Sequence, residues 1–191
     1  MRSKTLSFLL FFLLLAGGVP FPRAMADEGE DKLPFAPPSS PSELPEAMLI
    51  ETEKGSFEVL FYREQAPISI RAFEFLGRKG FYDNLTFHRY IEKFVIQGGD
   101  PLGNGKGGPG FTLPPEVSEL KHVRGTVGMA RKPGEVNPER RSNGSQFYIC
   151  LTEAPHLDGL YTVIGRVVQG MEVVDELRAG DKIVRVRFAK K

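Results

Sequence analysis

From Met48 onward, apolar and polar residues alternate. Met48, Ile50 and Thr52 sit between polar neighbours, and Phe57, Val59 and Phe61 resume the alternation after Lys54-Gly55. A period of two puts one set of side chains on one face of a strand, so this stretch predicts two half-buried strands joined as a hairpin. The period then lengthens. Ala66-Pro67 opens a helix with proline in its first turn, where the missing N–H costs little. Ile68, Ala72 and Phe75 fall on one helical face, Phe73 and Leu76 widen that stripe, and Gly77 or Gly80 ends it. Strand-like runs follow at 86–90, 94–97, 126–130, 147–151 and 161–168, with a short helix at 171–178 and a closing strand at 183–188. A long loop rich in glycine and proline separates the second and third of these runs. Such a segment inside a compact domain is usually functional or well pinned.

Upstream of the alternation the chain has a different character. Arg2 and Lys4, an apolar run from Leu6 to Leu15, and Ala24-Met25-Ala26 read as a secretory signal peptide, 1–26. The run is shorter than the roughly 20 residues of an ordinary spanning helix. An uncleaved signal anchor is the other reading. Residues 27–46 are rich in Pro, Glu, Asp and Ser, lack apolar periodicity, and are expected to form a flexible or partly extended linker. The folded domain is then 47–191.

Composition narrows the picture further. The 191-residue chain is 41% hydrophobic, with 15 Phe and no Trp, enough for one core built largely from phenylalanine. The formal charge of +1, with no long run of either sign, points away from nucleic acid and anionic membranes. A single cysteine, Cys150, excludes an intrachain disulfide and a cysteine zinc cluster. His88, His122 and His156 have no metal-ligand spacing, and Gly103 to Gly110 lacks the Lys-Ser/Thr ending of a phosphate loop. No cofactor or metal is expected. His88 reads as a structural hydrogen-bonding residue, and Cys150 as a buried inert thiol.

The blocks Phe87-His88-Arg89, Gln97-Gly98-Gly99-Asp100, Gly128-Met129-Ala130, Asn143-Gly144-Ser145-Gln146-Phe147 and Leu157-Asp158-Gly159 stand in this order along the chain. In order and spacing they resemble the active-site core of the cyclophilins, barrel-type peptidyl-prolyl cis/trans isomerases. The likeness spans roughly residues 48–188. It implies a mainly β fold, a closed eight-stranded antiparallel cyclophilin-like barrel capped by two α-helices. Periodicity alone does not settle the strand count.

The resemblance assigns roles residue by residue. Arg89, third in its block, is implied to be catalytic, with Gln97 beside it; an arginine carries an always-charged fork of donors that can serve an amide. Phe94, Val95, Tyr148 and Leu157 would wall an apolar pocket for the substrate's proline ring. Val95 stands where the family often has methionine and Tyr148 where it often has phenylalanine; the Tyr148 hydroxyl then needs water or a partner. Gln146 would hold Arg89 and the substrate backbone together with Gln97. Ala130 and Arg131 would offer main-chain groups to the residues before proline. His156 and Tyr161 stand where strongly cyclosporin-binding members carry tryptophan and histidine. The charged loop 132–141 is longer than in compact members, either a solvated surface or a determinant of substrate or partner choice.

The expected activity is acceleration of rotation about X–Pro bonds in exported polypeptides, assisting their folding. The expected partners are proline-containing segments of unfolded or flexible proteins, with no nucleic acid and no stable membrane insertion once the signal is removed. A monomer in the bacterial periplasm is expected, with secretion or a eukaryotic secretory lumen as the other compartments. A proline-peptide binding module or holdase, using the same groove without turnover, is the competing class.

Overall fold

The computed structural model describes residues 32–189, so the segment read as a signal peptide lies outside the described residues. The opening alternation folds as a hairpin of β1 (Ala47–Thr52) and β2 (Gly55–Phe61), in which Met48, Ile50, Phe57, Val59 and Phe61 are all buried. Helix α1 (Pro67–Arg78) carries its proline in the first turn. It ends through Gly80 at φ 71°, with the Gly80 N–H donating to the Gly77 carbonyl and the Phe81 N–H to that of Leu76. This paired arrangement satisfies the last carbonyls of a helix and favours glycine at the left-handed position. The buried face of α1 is rotated from the expected one. Ile70, Ala72, Phe73 and Leu76 are fully or nearly fully buried, whereas Ile68 and Phe75 lie at its rim. Phe73 sets that face, stacking on Tyr82 at 5.2 Å and meeting the edge of Phe147 at 5.4 Å.

The remaining elements are β3 (Arg89–Ile91), β4 (Val95–Gly98), β5 (Thr112–Leu113), β6 (Thr126–Met129), β7 (Ser142–Asn143), β8 (Phe147–Cys150), β9 (Val163–Gln169), α2 (Met171–Glu176) and β10 (Ile183–Phe188). Eight strands form one antiparallel sheet in the order β10-β1-β2-β9-β6-β8-β4-β3, while β5 and β7 pair apart from it. The expected closed barrel is a curled, open sheet. Its edge strands β3 and β10 share no ladder. The gap is bridged by the irregular segment 84–87 lying against 180–183: Thr86 and Lys182 make a lone bridge, the Asn84 N–H donates to the Ile183 carbonyl, and the Phe87 N–H to that of Asp181. Those contacts fall upstream of β3, so its three residues stay at a free edge.

Inside the curl lies one apolar cluster that includes Phe57, Phe73, Phe87, Ile96, Val127, Phe147, Ile149 and Ile164. Part of the expected linker joins it. Leu44 is fully buried after a 3₁₀ turn at Pro41–Glu43, and Leu33 and Phe35 pack against the cluster. Phe35 lies 5.4 Å from the Phe75 ring and 5.8 Å from Phe111. The described part of this segment is therefore a strap on the domain. Apolar residues too few to show a period can still pack where a neighbouring element leaves a seam.

Candidate active site

The groove is built on the outer face of β3, β4, β8 and β6. Because side chains alternate, Phe147 and Ile149 of β8 enter the core, while Tyr148 and Cys150 point outward with the preceding Gln146. Strand β4 does the same, with Ile96 inward and Val95 outward. Cross-strand register then lines up Arg89, Gln97, Tyr148 and Gly128 in one row over four strands.

Polar groups fill one end of the row. Arg89 Nη1 donates to Gln97 Oε1 (3.3 Å), Gln97 Nε2 to Gln146 Oε1 (2.9 Å), and Gln146 Nε2 to the Gly107 carbonyl (2.7 Å). Arg89 is exposed, and this is the only hydrogen bond its side chain makes among the described residues, which leaves most of its donors facing the groove. Gln146 is buried and anchors the chain from below. Its acceptor belongs to a glycine-rich loop that Asp100 organises. The Asp100 carboxylate accepts the N–H groups of Leu102 (2.8 Å) and Asn104 (2.9 Å), and that of Gly105 as well. Burial acts to raise its pKa, yet these N–H groups and that of Gly107 together hold it below the usual carboxylate range. Gly107 must be glycine here, since a Cβ would stand 2.0 Å from Asp100 Oδ1.

Apolar groups fill the other end. Val95, Tyr148, Cys150 and Ala154 are buried together, with Phe94, Ala130, Leu157 and Tyr161 packed around them, separate from the main core. Six residues predicted from sequence as pocket wall or groove lining thus meet here. The His156 ring, on a 3₁₀ turn at Pro155–Leu157, lies 5.3 Å from Phe94 and tilted by 30°. Arg131 folds over Tyr161, its Cζ 4.4 Å from the ring centroid, and donates from Nε to the Leu160 carbonyl at 3.2 Å. Cys150 is an inert wall: burial, aided by the Asp158 charge, pushes its thiol up to about 12.

Two expectations change. Ala130 cannot offer a free main-chain donor, because its N–H donates to Gln146 O (3.0 Å) and its carbonyl accepts from Asn143 N (2.8 Å). It contributes its methyl, and Arg131 keeps the main-chain N–H and C=O without a partner among the described residues. His88, expected to hydrogen-bond, has neither ring nitrogen paired among the described residues, and burial chiefly lowers its pKa.

The comparisons with known proteins bear on this geometry directly. The family profile described as "Cyclophilin type peptidyl-prolyl cis-trans isomerase/CLD" matches residues 47–190. The chain belongs to the cyclophilin-type peptidyl-prolyl cis/trans isomerases. It is 43% identical over 142 residues to a peptidyl-prolyl cis-trans isomerase of Synechococcus elongatus, covering 73% of this chain and 94% of that protein. With the peptidyl-prolyl cis-trans isomerase B of Bacillus subtilis it shares 41% over 142 residues, with the same coverage. A crystal structure of a Cryptosporidium parvum cyclophilin superposes with a TM-score of 0.70 at 31% identity, over 77% of this chain and 99% of that one. The same cyclophilin solved in the presence of the dipeptide Ala-Pro gives a TM-score of 0.67.

Several residues that shape this cyclophilin groove had no role in the sequence reading. Gly128 lies under Tyr148, where a Cβ would come within 2.5 Å of the phenol's Cζ and Oη, so only glycine lets the ring lie flat. Asp100 pins the glycine loop, and Asp158 binds His122. Each stands in a matched block, which was the available signal; Gly128 and Asp158 meet residues far along the chain, whereas Asp100 pins the loop that directly follows it.

Proposed function

We propose that this cyclophilin-type isomerase acts on X–Pro bonds of exported polypeptides, with Arg89 as the group that lowers the rotational barrier. Peptide rotation is opposed by a resonance barrier of roughly 18–20 kcal/mol. The two X–Pro isomers are close in energy, so only the barrier needs work. A guanidinium beside the prolyl nitrogen favours the pyramidal, uncoupled nitrogen of the twisted amide, with no nucleophile or proton relay. Gln97 holds that guanidinium, and Gln146 holds Gln97. The proline ring enters the apolar end, against Phe94, Val95, Tyr148 and Leu157, while the Arg131 main chain receives the residues before it. The single observation that carries this reading is the hydrogen-bonded chain from Arg89 to Gly107 at the edge of an apolar pocket. The Ala-Pro dipeptide used with the Cryptosporidium relative is the same class of ligand.

The signal-like segment 1–26 supports export, with cleavage after Ala26 giving a mature chain that starts at Asp27. The periplasm of a bacterium is the proposed compartment and a monomer the proposed state. NMR exchange measurements on an X–Pro peptide, comparing the wild-type protein with Arg89→Ala, test the chemistry. Wild-type turnover in the variant refutes the assigned role. Intact-mass analysis of protein recovered from the exporting cell tests the processing; a full-length chain held in the membrane contradicts it.

A further inference from the structure

The Tyr148 hydroxyl has found a buried partner. Tyr148 Oη stands 2.9 Å from His122 Nε2, and His122 Nδ1 stands 3.0 Å from Asp158 Oδ1. The same carboxylate oxygen accepts the His122 main-chain N–H at 2.8 Å, and the other faces Lys121 Nζ at 3.4 Å. His122 is 2% exposed and Tyr148 5%. The histidine comes from the loop before β6, the tyrosine from β8, and the aspartate from the turn after the 3₁₀ segment.

The chemistry fixes the direction of each bond. An ionised carboxylate only accepts, so His122 carries its proton on Nδ1 and leaves a lone pair on Nε2. Tyr148 must then donate its O–H to that lone pair. The ring is held from every side: it stacks on His122 (6.0 Å, 19°), meets Tyr161 edge-on (6.0 Å, 87°), and lies over Gly128. A phenylalanine at this position would have only van der Waals contacts to set its angle. A tyrosine tied at its tip has one orientation.

We infer that His122 and Asp158 are positioning residues for substrate binding, fixing through the Tyr148 hydroxyl the floor of the pocket that receives the prolyl ring. The inference rests on the reading of the groove given above. Neither residue touches the substrate; both act through Tyr148.

The relay runs in this direction in one protonation state. A proton on Nε2 would turn that nitrogen into a donor to the phenol oxygen. The Tyr148 O–H, which has no other hydrogen-bond partner among the described residues, would then have to turn away from His122. The charged and titratable groups facing the pair are Asp158 and Lys121, His156 from the 3₁₀ turn, Cys150 on β8, and Tyr161 and Arg131 across the groove. Burial is the main influence on His122 and lowers its pKa, with Asp158 opposing and His156 assisting. Protonation, and reversal of the bond to Tyr148, therefore come as pH falls below about 6.5, the ordinary histidine value.

The experiment measures KM and kcat by NMR exchange on an X–Pro peptide between pH 5 and 8. It uses the mature chain and the variants His122→Leu, Tyr148→Phe, the double variant, His156→Gln and Arg89→Ala. At pH 7.5, His122→Leu should raise KM about five- to tenfold with kcat within about twofold, and the double variant should be no worse than Tyr148→Phe alone, because coupled partners do not add. The wild-type acid limb, seen mainly in KM, should vanish in Tyr148→Phe and persist in His156→Gln. Additive single effects, or an acid limb that survives in Tyr148→Phe, overturn the inference. If His122→Leu fails to fold, the pH profile of Tyr148→Phe decides alone. Failure of the underlying reading looks different: Arg89→Ala would then retain turnover, whereas failure of the relay alone leaves Arg89→Ala inactive.

Discussion

The two faces of the same four strands make different demands on their residues. On the inner face, Phe147, Ile149, Ile96, Val127 and Met129 are fully buried, and each needs only to be apolar and to fill its space. On the outer face, Arg89, Gln97, Gln146 and Tyr148 must meet named partners at hydrogen-bond distance. One residue of slip in register would exchange the two sets, so the core that fixes the register also fixes the site. The inner face is tolerant in identity and strict in volume. The outer face is strict in identity.

That contrast can be broken most sharply on the inner side. Phe147→Ala removes a ring that touches Phe73, Tyr82 and Phe87. It should cost about 3–5 kcal/mol of stability, read as a lower urea midpoint, while any protein still folded keeps its groove chemistry. A loss of activity in the folded fraction that exceeds the loss of stability would deny the separation of faces. Arg89→Ala is the outer counterpart. It should lower kcat/KM by on the order of 10²–10³, by analogy with removing a donor to a developing charge, and leave the thermal midpoint nearly unchanged because the side chain is exposed. Arg89→Lys should also be poor, since an ammonium lacks the planar fork.

A smaller effect sharpens the outer face alone. Where strongly drug-binding cyclophilins carry tryptophan, His156 covers less apolar surface over Phe94 and reaches less far. Cyclosporin should therefore bind roughly ten- to a hundredfold more weakly than to such members, a difference of about 1–3 kcal/mol. His156→Trp should recover part of it in an inhibition titration, without a matching change in turnover. Nanomolar inhibition of the unaltered protein would contradict this. The smallest effect lies where the long loop meets the core. Glu116 accepts the Ile68 and Ser69 N–H groups (2.7 and 2.8 Å) and the Ser69 hydroxyl (2.6 Å), capping α1 from far along the chain. Burial nevertheless outweighs these bonds and keeps its carboxyl above the usual range. Glu116→Ala should cost about 0.5–2 kcal/mol by calorimetry, the range for losing a helix cap, with turnover close to normal.

Local chemistry made much of this molecule legible. The hairpin, α1, the outer strands and the pocket residues Phe94, Val95, Tyr148 and Leu157 follow from periodicity or from residue blocks whose order survives in the chain. The strap through Leu33, Phe35 and Leu44 was hidden because it carries no period, and its seam exists only once Phe75 and Phe111 are in place. The two-residue strands β5 and β7 were too short to leave a pattern.

By itself, the sequence determined where the longer strands and the two helices form, which strand faces are apolar, and the family to which the blocks belong, because these depend on neighbours a few residues apart. Only the tertiary structure decided that the sheet stays open between β3 and β10, that Gly128 makes room for a phenol, and that His122 and Asp158 hold it. Those outcomes depend on distances of a few ångströms between residues 20 to 36 positions or more apart in the chain. Such distances are set by the register of a whole sheet, and no local pattern encodes them.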